Sequence, residues 1–328
     1  MSRIPVFGWF LLLPGLALAD ASLSAPVTGY VADSSSPALR AVLGVPGSLL
    51  FSDPLALPDG TTGVRVAPGR DFAWAERGTA PPAVLFLNGV SVARFSPVEG
   101  ALPAADWVAF SPGAASMVLF SASAGRLQVV SGLPDAPAVA WDLDAGSLPD
   151  QPLAAAVSDD GSTLLTASES AVYLLNPGAA AQLLLSGQKI HSLAMMPNGT
   201  DVVAADSAAG SVFLLPNVLS APAARALASN LNGVEYISAA WDGSMVLLAQ
   251  PGAQAVSILD PVSGAFQSFP VDVAPASLQP MRNPDVFLIS SQPGEPGWIF
   301  VRTGSAGTSL FIPPARPAAS VQPSGGQQ

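Results

Sequence analysis

A reacting site needs a base, a nucleophile or a set of ligands, and this chain supplies few of them. It has one histidine, His191, and no cysteine. Nucleophilic catalysis of the Ser-His or Cys-His kind needs a base within reach of the attacking atom. The sequence has no G-x-S-x-G elbow to display a serine, and no Walker loop or G-x-G-x-x-G turn to cradle a phosphate. A structural zinc site needs a full tetrahedral set of nitrogen or sulfur ligands, and a catalytic one usually draws on more than one histidine. Oxygen chemistry remains. Asp106, His191 and Glu235 stand at or just ahead of short apolar runs, with Lys189, Asn232, Asp150 and Asp272 close by. If those runs were the inner strands of one assembly, the residues would converge on a polar mouth able to hold Ca²⁺ through oxygen ligands, or a small polar ligand. Solvated loops would carry the same residues, so no catalytic set is read from them.

The elements that must position these side chains repeat. The stretch "AVSDDGSTLLTASESAVYLLNP", from Ala156, reads as a strand, an Asp-Gly turn, a second strand, a polar break and a third strand. The pattern returns in "VAFSPGAASMVLFSASAGRLQVVSG" from Val108, "LAMMPNGTDVVAADSAAGSVFLLPN" from Leu193 and "ISAAWDGSMVLLAQPGAQAVSILDP" from Ile237. Weaker copies begin at Val64 and Leu278. A fourth, less regular strand follows, as in "AVAWDLD" from Ala138, "ARALA" from Ala224 and "AFQSFPV" from Ala265. The turn markers Gly69, Gly113, Gly161, Gly199, Gly243 and Pro284 are spaced 44, 48, 38, 44 and 41 residues apart. A period of that size suits four short strands with their turns. A four-stranded sheet that is apolar on both faces must stack on neighbours. The expected fold is therefore all-β, a β-propeller of four-stranded antiparallel blades. Six markers give six blades; a seventh arises if the segment from Gly29 to Leu57 builds most of a blade together with C-terminal strands, and that segment is otherwise a latch for the ring.

The S-x-D-G turn, the run "ADSAAGSVFLL" and the run "VSILDPVSG" resemble the repeats of bacterial YVTN, NHL and WD40-like propellers over roughly residues 60 to 313. The Trp141-Asp142 dipeptide occurs, but the Gly-His partner of WD40 repeats does not. The resemblance implies a non-catalytic scaffold that binds a protein, peptide or glycan through its loop face. A second implication is a metal-dependent hydrolase of the lactonase or gluconolactonase kind, with His191 as base and Asp106 and Glu235 as ligands. A quinone-dependent dehydrogenase is disfavoured, because clustered Arg or Lys for an anionic cofactor is lacking.

Other polar and aromatic residues have structural readings. Asp159, Asp160, Asp242 and Asn198 suit turn chemistry. Asn198-Gly199-Thr200 is a glycosylation sequon, but it lies on one of those turns. Trp107, Trp141, Trp241, Tyr173 and Tyr236 flank strands and are expected to pack between blades. Leu164, Leu165, Val172, Leu174 and Leu175 are expected in the core, with Asp159, Asp160 and Gly161 in solvent.

The ends differ from the middle. "MSRIPVFGWFLLLPGLALADAS" places one arginine before an apolar run that ends in a small-x-small pattern, so residues 1–19 read as a signal peptide cleaved after Ala19. Residues 20–60 are the latch or part of a blade, 61–313 the repeats, and 314–328 a Pro-, Ser-, Gly- and Gln-rich tail expected to be disordered. The protein is expected to be secreted or periplasmic and monomeric, with no membrane span after the signal. Charged residues are 11% of the chain and the net charge is -11, with Lys189 the single lysine, so no basic cluster exists to neutralise phosphates and nucleic acid is excluded as a partner.

Overall fold

The computed structural model describes residues 25–33, 36–220, 223–290, 295–304 and 306–314. The signal segment 1–19 and all but the first residue of the 314–328 tail lie outside the described residues. Among the described residues no helix is long and apolar enough to cross a membrane.

The molecule is a seven-bladed β-propeller. Blades 2 to 7 are four-stranded antiparallel sheets, and their first strands are Gly63–Val66, Trp107–Phe110, Ala154–Val157, Ile190–Met195, Tyr236–Ala239 and Gln279–Pro280. The six turn markers all fall between the first and second strands of these six blades. Blade 1 has three strands, Val27–Ala32, Leu39–Val45 and Ser48–Phe51. The seven-blade alternative is thus the one realised.

The strands of blade 1 match the second, third and fourth strands of the other blades. In four of those blades the residue after the fourth strand donates its N–H to the carbonyl just before the third: Val98 to Pro82, Ala145 to Gly125, Gly187 to Ser170 and Val271 to Gln254. Leu55, in the stretch after Ser48–Phe51, likewise donates its N–H to the Leu39 carbonyl, at the start of Leu39–Val45. Among the described residues blade 1 therefore has no turn of the marker type, and the six markers fall in blades 2 to 7.

Seven apolar clusters, one per joint, close the ring. Leu164 faces blade 3 with Val118, Phe120 and Val129, while its neighbour Leu165 faces blade 5 with Val202 and Ala204. Successive side chains on a strand point to opposite faces, so a sheet sandwiched between two others must be apolar at every position. The second strands accordingly read as unbroken runs such as "SMVLFS" and "VLLAQ", buried throughout. Outermost strands alternate, as in Ala138–Asp144. The last joint packs Val31, Val42 and Leu49 of blade 1 on Val286, Leu288, Ile299 and Ile312 of blade 7.

The five expected core residues of blade 4 are buried. Gly161 is a correction: it too is buried, at φ +71°, and a side chain there would meet Ser116 and Ser131 of blade 3. Gly161 is pressed against the neighbouring blade, while Asp159 and Asp160 stand in solvent as expected.

Candidate functional site

The two ends of the ring differ in construction. One, the loop face, carries the connections that lead from the fourth strand of one blade into the first strand of the next. The other, the turn face, carries the tight turns between first and second strands. Along the axis runs a cavity of about 550 Å³. Its wall is built largely from small residues of the first strands, including Ala109, Ala156, Ala194 and Ser238. Small side chains are what the crowded inner edge of a radial sheet admits.

At the loop face the structure brings together two of the expected residues. His191 Nε2 lies 2.7 Å from Glu235 Oε2, across the joint between blades 5 and 6. Each is adjacent in sequence to a cavity-lining residue, Ser192 and Tyr236 respectively. When Nε2 carries the proton and donates it to the carboxylate, Nδ1 is left as an acceptor, and the Ser207 hydroxyl lies 3.4 Å from it. Tyr236 is 43% exposed, beside the pair. It is not the packing residue the sequence suggests, because the first strand puts it on the cavity wall.

The segment that presents His191 is fixed by a residue the sequence reading missed. Asp206, buried at the end of the second strand of blade 5, accepts the N–H groups of Gln188, Lys189 and Ala209 at 2.7, 3.1 and 3.0 Å. Burial alone would push its carboxyl up; these backbone N–H groups, with that of Ala208, outweigh it and hold the group below the usual carboxylate range. The signal for it is positional. Glu76, Ser121, Ser168, Asp206, Gln250 and Ser290 all stand at or just past the end of a second strand, and all are buried.

The other expected residues are elsewhere. Asp106 Oδ2 accepts the Ala122 N–H at 2.6 Å and so ties a loop of its own blade. Asp150 Oδ2 is within 3.2 Å of the Ser168 and Ser170 hydroxyls and 3.4 Å of the Tyr173 hydroxyl. Asn232 is exposed, with its backbone carbonyl accepting from Gln250 Nε2. Asp272 is at the outer circumference, where its Oδ2 accepts the hydroxyl of Ser309 on the fourth strand of blade 7 at 2.8 Å. Lys189 is exposed beside His191. Among the described residues no three His, Cys, Asp or Glu side chains converge.

The remaining assignments divide in the same way. Asp160, Asp242 and Asn198 bond within their own turns. Asp159 instead accepts the Gly113 N–H of blade 3 at 2.7 Å, clamping two neighbouring turns. Trp107 stacks on Phe120 at 5.2 Å, and Trp107 and Trp141 both pack at the joint of blades 3 and 4. Trp241 departs from that pattern. It lines the cavity and lies against Gly69, with the Arg70 guanidinium 4.7 Å from its ring centroid. Blades 2 and 6 are not neighbours, so this contact spans the ring at the turn face. Trp241 occupies the turn position held by Pro68, Pro112 and Pro197 in other blades, a substitution visible once the repeats are aligned.

No family model matches the chain, and no curated protein does. Solved structures do. A candidate 6-phosphogluconolactonase from Bacteroides uniformis is 12% identical with a TM-score of 0.58, covering 88% of this chain and 97% of that one. A protein from Lactobacillus plantarum is 14% identical with a TM-score of 0.59, over 88% of this chain and 96% of that one. A functionally unknown protein from Desulfotomaculum acetoxidans is 16% identical with a TM-score of 0.59, over 88% of this chain and all, 100%, of the other. At these identities the likeness is one of fold.

Proposed function

We propose that the chain is a ligand-binding propeller that works outside the cytoplasm and holds a small hydroxyl-bearing molecule, such as a sugar, hydroxy acid or lactone, at the loop-face mouth between blades 5 and 6. The observation that carries this reading is the His191–Glu235 pair at 2.7 Å beside the exposed ring of Tyr236. A charge-assisted acceptor next to an aromatic face suits a molecule with hydroxyls on one side and C–H groups on the other. Export is supported by the apolar run that ends at Ala19 in a small-x-small pattern.

A second reading is favoured by the same pair. Glu235 orients the imidazole, and His191 would take a proton from water as it adds to a lactone carbonyl; the ring C–O bond would then break as the imidazolium returns that proton to the leaving ring oxygen, giving the hydroxy acid. The fold shared with candidate 6-phosphogluconolactonases supports it.

One experiment separates the two. Because His191 is the only histidine, its imidazole resonances can be followed without assignment while sugars, hydroxy acids and lactones are titrated in. The expected outcome is a saturable shift with no chemical change in the ligand, lost in Glu235→Ala. Turnover of a lactone that disappears in His191→Ala would replace the binding reading with the hydrolytic one. A panel that shifts nothing removes both.

A further inference from the structure

The first strand of blade 5, Ile190–Met195, carries one residue more than its ladder needs. Ile190 pairs with Asp206 and Ser192 with Ala205, so His191 is a β-bulge with no residue opposite it. The described first strands of the other blades pair with their second strands in unbroken register. A regular strand sends successive side chains to opposite faces, and in this ring the two faces are the joints with the two neighbouring blades. Ile190, Leu193 and Met195 pack at the joint with blade 4, and Ala194 packs at the joint with blade 6. His191 and Ser192 break that alternation. His191 reaches Glu235, and the Ser192 hydroxyl oxygen accepts the Ile237 N–H at 3.0 Å, so both meet blade 6. The extra residue turns two consecutive polar side chains to one joint.

Ser192 is only 8% exposed, and its open side is the axial cavity, which it lines. A hydroxyl has one proton to give and two lone pairs to offer. The Ile237 N–H takes a lone pair; among the described residues no acceptor bonds the proton. A buried donor left without an acceptor is costly, and a ligand that supplies the acceptor gains what an analogue without it forfeits.

We propose that Ser192 is a specificity-determining residue of the loop-face mouth, donating its hydroxyl proton to a carbonyl oxygen of the molecule whose hydroxyl the His191–Glu235 pair holds. The inference rests on the binding reading above and narrows it. A carbonyl oxygen answers the donor without bringing a proton that needs an acceptor of its own, as an alcohol does. Ser192 therefore selects molecules in which a carbonyl stands beside a hydroxyl, hydroxy acids and hydroxy lactones, over simple polyols and cyclic ethers. The bulge is what makes this selection available: in unbroken register one of the two side chains would face blade 4, and the mouth would keep either the pair or the donor.

The test compares two neutral probes that differ only in the carbonyl, α-hydroxy-γ-butyrolactone and 3-hydroxytetrahydrofuran. Each is titrated into the full chain while the His191 imidazole resonances are followed. The unmodified protein is expected to bind the lactone at least about tenfold more tightly than the ether. Ser192→Val is expected to remove that difference by weakening the lactone alone, and Ser192→Thr, of the same shape but with a hydroxyl, to restore it. Equal affinity of the unmodified protein for the two probes overturns the proposal, and this comparison needs no variant to fold. A Ser192→Val loss shared by both probes also overturns it, since that marks a residue that only ties Ile237. If neither probe binds while a sugar still moves the His191 resonances, this inference fails alone. If nothing moves them, the binding reading fails and takes the inference with it.

Discussion

Asp206 shows how one side chain can govern a site it does not enter. Its two oxygens take three backbone N–H groups, and two of these belong to the segment just ahead of His191. The carboxyl is held below its ordinary value of 3.8 in the fold, so its contribution to stability is complete above that value and fades as the pH falls through the lower folded one. Asp206→Asn keeps only one acceptor oxygen and so loses a charge-assisted bond to at least one of those partly buried N–H groups. The expected outcome is a loss of about 1 to 3 kcal/mol at pH 7. Denaturant midpoints measured from pH 7 to pH 2 should also fall less steeply for the variant than for the parent below pH 4. Legibility at this scale follows the distance a hydrogen bond spans. Asp160 and Asp242 bond two residues along the chain, so their turn roles can be read from sequence. Asp159 clamps a glycine 46 residues away and Trp241 rests on Gly69, and no local pattern marks such partners. His191 and Glu235 were legible as loop-face candidates, since both sit at the start of first strands. That they touch, and that Asp272 lies at the rim, depends on how far each connection runs before it turns inward.

The blades are held by their strands far more than by their turns. Leu165 is fully buried and packs on Val202 and Ala204 of the next blade, whereas Asp160 is exposed and bonds to Ser158 and Ser162 of its own turn. Leu165→Ala is expected to cost about 2 to 5 kcal/mol, because it loses transfer energy and leaves a cavity between two sheets that cannot collapse together. Asp160→Ala is expected to cost about 1 kcal/mol or less, since Gly161 still supplies the positive φ. Urea denaturation of the two variants checks this; equal losses would mean that the strand and turn positions are misassigned. The strand pattern itself was readable, because four-residue apolar runs between Gly, Asp and Pro leave little choice of element. What the pattern could not supply was the identity of the first strand met along the chain. Val27–Ala32 has the composition of any propeller strand, and only its hydrogen-bonded neighbours show that it is a second strand.

At the scale of the whole molecule, the ring is a closed set of seven joints, and blade 1 takes part in two of them. Removing residues 25–60 takes away both. The expected outcome is loss of the single cooperative melting transition in calorimetry; a deleted chain that melts as the parent does would mean that blades 2 to 7 close without it. The joint between blades 7 and 1 differs from the other six in one respect. Its partners are about as far apart in sequence as the chain allows, with Gln279 and Tyr30 separated by 249 residues. Chains are made from the N-terminus and fold as units emerge. The three described strands of blade 1 are therefore made first, yet Val31, Val42 and Leu49 stay uncovered until blade 7 has been synthesised. During most of its synthesis the nascent molecule is an open arc with a bare apolar end. Its hazard is thus one of timing, and it passes only when the last blade arrives.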